Sequence, residues 1–459
     1  MNWFEVMART VVMKFGGTSV QDAESFGRLI SIVESQPKVL PVVVVSAMAG
    51  VTNALVEAIK TAAEGKAEKA LAPLEEHFSR HIEVSRHFTG KEAQQQFEQY
   101  LGLIKAEVRL VLFSIAGQNG ASGVLNDAVL ACGERLSAAL LCEVLNSKGL
   151  HAAFVDARKF IITDSEHGRA NPDFEKTNEL ARKELLPILE DGRIPVLGGF
   201  IAASPDGTTT TLGRGGSDYT AAIVAAPIEA KEIQIWTDVT GVLTADPRIV
   251  SRPRTIPRLS YSEAAELAYF GAKVLHPKTI QPAVQDRIPV RICNSRKPEE
   301  VGTIVFSESE SSMQTVKAIA HKSGVTTVQI ISGRMLGAYG FLRRIFEIFD
   351  KYRTVVDVVT TSEVSVSLSL DDTTSLNGIV AELSEIGDVI VERGMAIVCV
   401  VGEGIRTTPG IAGRVFSTLG DINVSLISQG ASRINLTFSV REERVKETVN
   451  RLHEEFFGS

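Results

Sequence analysis

The chain has 459 residues, more than the roughly 250–300 at which a single hydrophobic core usually stops growing, so it should contain more than one domain. Its net charge of −7 and pI of about 5.8 argue against a nucleic-acid-binding protein, which would normally present a basic surface. The longest apolar runs, such as residues 39–45, are far shorter than the ~20 residues of a membrane helix, and the N-terminus has no signal-peptide pattern. We therefore expect a cytoplasmic protein that binds neither nucleic acid nor membranes.

The four cysteines are scattered among apolar residues and form no CxxC pair or Cys/His cluster. They are Cys132, Cys142, Cys293 and Cys399. This spacing favours reduced, buried thiols over a disulfide scaffold or a zinc site, so no metal ligands are predicted.

Up to residue 306, short β-branched runs alternate with helical patterns. The predicted strands cover residues 11–15, 41–45, 152–156, 194–199, 232–237, 290–293 and 303–305. The predicted helices cover residues 23–36, 53–64, 127–148, 178–191 and 262–270, with further long helices within residues 66–119. Near-continuous apolar strands separated by helices are typical of an α/β fold in which a mainly parallel sheet lies between helical layers.

The pattern changes after a polar stretch, SESESSMQ, at residues 307–314. Two amphipathic helices, at residues 341–352 and 410–419, are each followed by two β-rich runs. This cadence predicts two ferredoxin-like modules, with one larger α+β domain as the alternative. The predicted domains are residues 1–306, 315–388 and 389–459.

The most informative stretch is TTTTLGRGGSDYTAA, at residues 208–222. A glycine-rich loop at a helix start directs several backbone N–H groups to one point, which the helix dipole makes attractive to anions. Arg214 adds a planar cation suited to a carboxylate or phosphate, and Asp218 adds a carboxylate at the helix start.

A second such loop follows the first predicted strand, where Lys14 precedes Gly16 and Gly17. A lysine in this position can reach phosphate oxygens, although a surface lysine beside a turn is the alternative. The loop is not a Walker A motif, because no GxxxxGK[ST] pattern occurs in the chain. Two anion-binding loops together indicate phosphoryl transfer between two negatively charged small molecules.

Weaker signals come from residues that follow other predicted strands or interrupt apolar helices. Ser46 and Thr52 belong to a small-residue loop that would either hold a substrate carboxylate or cap the next helix. Glu134, within an apolar helix, would bind a substrate ammonium or be an ordinary solvated or ion-paired residue. Asp238 and Arg248 would contact a nucleotide or belong to a plain turn.

Seven motifs, in their order along the chain, resemble those of the aspartokinase family. They are KFGGTSV, VVVSAMAGVTN, GERLSA, GGF, TTLGRGGSDYTAA, WTDVTGV-x-x-ADPR and SYSEAAELAYFGAKVLHP. The resemblance covers the whole chain and implies an amino-acid-kinase fold followed by two ACT domains, as in the monofunctional, lysine-sensitive subgroup. Because the family inserts the first ACT domain into the second, residues 316–321 should pair with strands after Met395.

By this resemblance, the enzyme uses ATP and Mg²⁺ to convert L-aspartate into 4-phospho-L-aspartate, the first step towards lysine, threonine and methionine. The catalytic residues would be Lys14, Asp218 and Lys273. The aspartate pocket would contain Ser46, Thr52, Glu134, Phe200, Arg214 and Ser217. The nucleotide side would contain Lys14, Gly16, Gly17, Thr237, Asp238, Arg248 and Lys273. The chain departs from the family at Leu243, where a tyrosine near the adenine is common.

The resemblance also implies an effector pocket in the first ACT domain, with lysine as the expected ligand. Its residues would be Met335, Gly340, Phe341, Leu342, Asp357, Thr361, Ser362 and Glu363. Ala338 departs from the family here, because it replaces a commonly polar residue. A homodimer or larger homo-oligomer would form through the ACT domains. The alternatives are another acyl-phosphate-forming amino-acid kinase and a catalytically dead amino-acid sensor.

Overall fold

The computed structural model describes residues 9–118, 120–271, 275, 277–307 and 315–458. These residues form two compact units. The first unit contains the described residues up to 242, residues 257–261 and the described residues within 275–307. The second unit contains residues 243–256, 262–271 and 315–458. The domain limits at residues 306 and 315 stay a prediction, since the compact units place two segments before residue 306 with the tail.

The first unit is built on an eight-stranded sheet in the order β3-β4-β2-β1-β7-β9-β10-β8. All the observed pairs are parallel except β9–β10, and β5 and β6 form a separate antiparallel hairpin. The strands are β1 (Thr10–Phe15), β2 (Leu40–Val45), β3 (Ala152–Phe154), β4 (Ile194–Gly198), β5 (Ile201–Ala203), β6 (Thr209–Thr211), β7 (Glu232–Thr237), β8 (Arg258–Ser260), β9 (Val290–Asn294) and β10 (Thr303–Phe306).

Helices cover the faces of this sheet because its central strands have no polar face. Every residue of β1 and β2 is buried. The helices up to residue 306 are α1 (Ala23–Glu34), α2 (Val51–Ala63), α3 (Ala67–Phe88), α4 (Lys91–Gly117), α5 (Gly123–Ser147), α6 (Phe174–Glu190), α7 (Gly216–Ala225), α8 (Tyr261–Tyr269) and α9 (Gln281–Gln285). The long helices α3 and α4 pack residues such as Phe78 and Val108 into the same core as β1 and β2.

The register of the parallel strands brings their carboxyl ends into one row. Gly198, Val45, Phe15, Trp236 and Cys293 are successive Cα partners across β4, β2, β1, β7 and β9. The residues that follow each strand therefore lie along one edge of the sheet, which is where open α/β folds bind their ligands.

The second unit contains one six-stranded antiparallel sheet in the order β12-β13-β11-β14-β16-β15. Its elements are β11 (Ala318–Ile331), α10 (Phe341–Lys351), β12 (Val359–Thr361), β13 (Ser365–Leu370), α11 (Leu376–Leu383), β14 (Asp388–Val401), α12 (Ile411–Leu419), β15 (Leu426–Gln429), β16 (Asn435–Arg441) and α13 (Val445–Phe457).

Two separate hydrophobic cores lie within this unit. One contains Ile345 and Leu368, and the other contains Val415 and Phe438. The long strands β11 and β14 run through both halves, with register shifts between Lys322 and Thr327. Residues 318–321 pair with residues 398–401. The predicted fold class is confirmed, and the two modules share one continuous sheet.

The sequence missed only short elements. The strands β5, β6 and β8 have three residues each, too few for a hydrophobic period to be recognised. Of the first β-rich run predicted after the helix at residues 341–352, the structure forms a strand only from Val359. Within the described ranges, no helix combines the length and apolar character needed to cross a membrane.

Candidate active site

An ion pair joins the two glycine-rich loops that the sequence singled out. Lys14 lies one residue before the end of β1, and its Nζ is 2.7 Å from Oδ1 of Asp218 in the first turn of α7. Both side chains are largely enclosed, with 11% and 16% exposure. A Cβ at Gly16 would lie 3.7 Å from the Lys14 Nζ, so the glycine leaves room beside the ammonium. The ammonium and the start of α7 therefore face the same space.

Glycines let the end of β4 approach the start of α7 at backbone distance. A Cβ at Gly199 would lie 2.7 Å from the Cα of Ser217, which is too close for any side chain. Gly215 precedes α7 with a φ of 74°, a left-handed conformation that favours glycine. Phe200 has a φ of 69°, and its N–H donates to the Thr220 hydroxyl at 2.9 Å. The segment from Gly199 to Phe200 is therefore fixed directly against α7.

Glu134 is a buried carboxyl group from α5 beside this segment. A Cβ at Gly198 would lie 2.9 Å from the Cβ of Glu134. Burial raises the pKa of Glu134 to about 8, against the lowering effect of a hydrogen bond from the backbone N–H of Ala47. Among the described residues, its Oε2 has no hydrogen-bond partner. A ligand ammonium would supply both the missing donor and the missing positive charge.

The loop after β2 is held by backbone hydrogen bonds to the end of β1 and to Gly17. Ser46 N–H donates to the Phe15 carbonyl at 3.1 Å, and Ala49 N–H donates to the Gly17 carbonyl at 3.1 Å. The Ser46 and Thr52 side chains are half-buried. Ser46 directly follows β2, and Thr52 lies in the first turn of α2.

The predicted nucleotide residues do not all belong to one unit. Thr237 ends β7 beside β1, and its hydroxyl donates to Asp238 Oδ1 at 3.3 Å. Gly17 opens a 3₁₀ turn at residues 17–20, where the first backbone N–H groups have no acceptor within the turn. Arg248 belongs to the second unit and pairs with Asp246, with Nη2 at 2.6 Å from Oδ2. Lys273 lies outside the described residues.

Sequence reasoning missed Asp127, which fixes the loop that carries Arg214. Asp127 is 1% exposed and accepts hydrogen bonds from the Thr211 hydroxyl at 2.6 Å and the Thr211 N–H at 3.1 Å. It also accepts from the Gly168 N–H at 3.0 Å and lies 2.9 Å from His167 Nδ1. A carboxyl group in a mostly apolar helix, the same signal that marked Glu134, would have indicated it. Arg214 itself is exposed.

The predicted effector residues form two groups within the second unit. Gly340 directly precedes α10. The turn between β12 and β13 contains Thr361, Ser362 and Glu363. This turn lies near the end of β11, where the Ser332 N–H donates to the Val364 carbonyl. Asp357 lies beside the other end of β13, where its N–H donates to the Ser369 carbonyl at 3.0 Å. Four residues of strand span about 13 Å, so the two groups are well separated.

The three remaining effector residues differ in how far their side chains are buried. The Phe341 side chain is 6% exposed and packs in the module core, so its ring faces away from solvent, and its effector role stays a prediction. Leu342 is 40% exposed. Met335 is half-buried and packs against the same core as Phe341.

Asp357 is already occupied by side chains of the same chain. The Tyr269 hydroxyl donates to its Oδ1, and the Lys322 Nζ lies 3.2 Å from its Oδ2. Lys322 also forms an ion pair with Asp371. The Asp357 side chain is only 6% exposed. A ligand would therefore have to displace one of these partners to reach the carboxylate.

Comparisons with known proteins match both units. The amino acid kinase family model matches residues 9–294, and an ACT domain model matches residues 398–456. Lysine-sensitive aspartokinase 3 of Escherichia coli (strain K12) is 38% identical over 464 residues, covering 98% of this chain and 100% of that protein. The structure of E. coli aspartokinase III in complex with aspartate and ADP (R-state) has a TM-score of 0.80 at 38% identity, covering 98% and 100% of the two chains. Its complex with lysine and aspartate (T-state) has a TM-score of 0.80 at 37% identity, covering 98% and 99%.

The parallel sheet, the joined loops at its edge and the two matched family models define an amino acid kinase with ACT modules. At 38% identity over 98% of its length, the chain belongs to the aspartokinase family. The resemblance drawn from the seven motifs is confirmed.

The close contact between Gly199 and Ser217 predicts that a side chain at position 199 destabilises the protein. Gly199→Ala should lower the free energy of unfolding by about 1–3 kcal/mol, because the new methyl group overlaps the backbone of Ser217. The matched control is Gly102→Ala in α4, where a Cβ would meet no described atom within 4 Å. That control should gain up to about 1 kcal/mol from the better helix propensity of alanine.

Urea unfolding followed by circular dichroism measures both variants. Equal effects of the two substitutions would contradict the close approach of β4 and α7.

Proposed function

We propose that this chain transfers the γ-phosphoryl group of ATP to the side-chain carboxylate of L-aspartate, giving 4-phospho-L-aspartate and ADP. The observation that carries the proposal is the Lys14–Asp218 pair, which places an ammonium between two anion-binding loops at one sheet edge. Membership of the aspartokinase family supports the choice of substrates. The product would enter the biosynthesis of lysine, threonine and methionine.

The reaction needs positioning and charge neutralisation more than a general base. The aspartate side chain is already ionised at neutral pH, so its oxygen can attack the γ-phosphorus directly. The new O–P bond forms as the bond to the β–γ bridging oxygen breaks, and the electron pair of that bond leaves with ADP. The Lys14 ammonium would neutralise charge on the transferring group, and Asp218 would hold that ammonium in place.

The aspartate pocket would lie between β4, α5 and α7. Glu134 would bind the substrate ammonium, which gives its unpartnered Oε2 a donor. Arg214 would bind a carboxylate through its two-pronged guanidinium, on a loop held by Asp127. Shorter side chains and backbone would line the remaining surface, namely Ser46, Thr52, Phe200 and Ser217.

ATP would bind along the edge beside β1 and β7. Gly16, Gly17, Thr237 and Asp238 lie in this part of the first unit. Arg248 and Lys273 remain assigned to the nucleotide side by their motifs, and Lys273 also to catalysis. Mg²⁺ would arrive on the nucleotide, whose phosphates usually supply many of its ligands. Within the described ranges, no three His, Cys, Asp or Glu side chains are grouped to hold a metal ion.

Regulation would require a second copy of the chain. The effector residues of one protomer fall into two groups about 13 Å apart along β13, which suggests that each pocket combines groups from two protomers. Exposed apolar side chains surround the start of α10, including Leu336, Leu342, Phe346 and the fully exposed Tyr339. We propose that this surface forms a homodimer contact and that lysine binds nearby.

The cellular location and domain limits follow from the sequence. We propose the cytoplasm, because the four cysteines are free and buried, as expected in a reducing compartment. The proposed catalytic domain is residues 1–306, and the proposed ACT domains are residues 315–388 and 389–459.

The activity itself is tested by aspartate-dependent ADP release, with glutamate as the comparison substrate. Lys14→Ala should lower kcat by about 10²–10³, because it removes a cation that acts on the transition state. The matched control is Lys231→Ala, an exposed lysine just before β7 at the opposite edge of the sheet. That variant should keep the activity of the wild-type enzyme.

Because Lys14→Ala leaves Asp218 without its partner, the double variant Lys14→Met/Asp218→Asn serves as a fold control. It should unfold at the wild-type temperature and stay inactive. A folded Lys14 variant with wild-type kcat would rule out the proposed role.

The raised pKa of Glu134 predicts how aspartate binding depends on pH. Below a pKa of about 8 the free enzyme holds Glu134 protonated, and the substrate ammonium binds the ionised form. The KM for aspartate should therefore fall about tenfold per pH unit between pH 6 and 7.5 and level off above pH 8.

Glu134→Gln should raise this KM and remove its pH dependence. Glu143→Gln, in the same helix and half-buried, should preserve the wild-type profile. An unchanged profile in Glu134→Gln would mean that another group titrates.

The proposed dimer surface is tested by Phe346→Glu. Burying a charge in an apolar contact is unfavourable, so this variant should have half the wild-type mass by light scattering at about 10 µM and should lose inhibition by lysine. Leu110→Glu, at a 70% exposed leucine of α4, should keep the wild-type mass. A wild-type enzyme that is monomeric at this concentration would contradict the proposal.

A further inference from the structure

A complete ammonium-binding site lies near the middle of the regulatory sheet, and the chain fills it with its own lysine. The Lys322 Nζ lies 3.2 Å from Asp357 Oδ2 and forms a second ion pair with Asp371. It also lies 4.8 Å from the centre of the Tyr269 ring. Two carboxylates and an aromatic face are the groups that bind alkylammonium ions.

The local backbone aims Lys322 at this site. The pairing of β11 with β14 is regular up to Lys322 and shifts in register directly after it. Such irregularities change the direction in which a side chain points. Asp357 lies just before β12 and Asp371 just after β13, so three neighbouring segments supply the cluster. Although burial opposes the charge on Lys322, its bonds to Asp371 and Asp357 raise the pKa of its ammonium above the ordinary value.

The Tyr269 hydroxyl occupies the other oxygen of Asp357. With both oxygens bonded and the side chain 6% exposed, Asp357 has no free surface for a second ammonium. An effector that carries an ammonium must therefore take the place of Lys322, of Tyr269 or of both.

We propose that Lys322 is a built-in competitor of the effector, occupying the ammonium site of Asp357 and Asp371 until a free amino acid displaces it. This inference rests on the proposed effector role of Asp357. Lys322 therefore sets how sensitive the enzyme is to the effector. The binding free energy of the effector is only the difference between its own ammonium contacts and those of the displaced Lys322. Removing the competitor leaves two carboxylates without a cation, which strengthens the site for the effector.

The test is inhibition of ADP release by L-lysine, with each variant referred to its own activity without lysine. Lys322→Met should lower the concentration for half-inhibition by about tenfold or more, the scale of one charge-assisted hydrogen bond. Tyr269→Phe, which changes no charge, should lower it by a smaller factor. The matched control is Lys351→Met, because Lys351 is 63% exposed and pairs with Glu382 on the same module, so this variant should leave inhibition unchanged.

A double-mutant cycle of Lys322→Met and Asp357→Asn on the urea midpoint tests the contact without any effector. Non-additive shifts support the inference, and additive shifts overturn it. If lysine inhibits the wild-type enzyme and inhibition of Lys322→Met is unchanged or weaker, the competitor role of Lys322 is overturned while lysine remains the effector. Inhibition in Lys322→Met but not in wild type supports it. Absence of inhibition in both would overturn the competitor and the proposed lysine effector together.

Discussion

The ion pair between Lys14 and Asp218 is the interaction on which the first unit depends for its chemistry. The two residues are separated by most of the catalytic sequence, yet their charged atoms are 2.7 Å apart. An enclosed pair of this kind gains little net stability, because both charges lose water. The start of α7 favours the negative partner, since a helix N-terminus carries partial positive charge. The pair places an ammonium between the two glycine-rich loops, and the register of the parallel strands supplies the positions.

Glycine is the second requirement of this arrangement. Gly199 contacts Ser217, Gly198 contacts Glu134, and Gly17 approaches the Ala47 carbonyl, each at a distance that a Cβ would violate. Backbone in direct contact with backbone leaves little freedom for the loops to shift. The functional groups are consequently held by main-chain packing, while hydrogen bonds such as those of Asp127 fix the loop that carries Arg214.

The regulatory unit follows a different design. Two hydrophobic cores share one sheet because β11 and β14 extend through both halves. Two lysines in it form enclosed ion pairs: Lys317 Nζ lies 2.9 Å from the fully buried Glu263, and Lys322 lies between Asp357 and Asp371. Breaking such a pair exposes an uncompensated charge, so a ligand that supplies the same charge can replace one member. This property makes the Lys322 cluster suitable for sensing a charged amino acid.

The sequence by itself determined the alternation of strands and helices, the parallel sheet and the two glycine-rich loops that carry Lys14 and Asp218. Hydrophobic periods and glycine-rich turns are local, so KFGG and GRGGSD could be interpreted before their positions in space were known. The distances were not accessible in this way. The ion pair of Lys14 with Asp218, the burial that raises the pKa of Glu134 and the bonds of Asp127 all join residues far apart in the chain.

Tertiary structure also decided which predicted groups are free to act. Phe341 is one of the predicted effector residues, and the amphipathic helix α10 turns its ring into the module core. Asp357 had the expected carboxylate, but Tyr269 and Lys322 already occupy it. A sequence pattern specifies what a side chain can bind, whereas packing between distant segments decides whether another part of the chain binds it first.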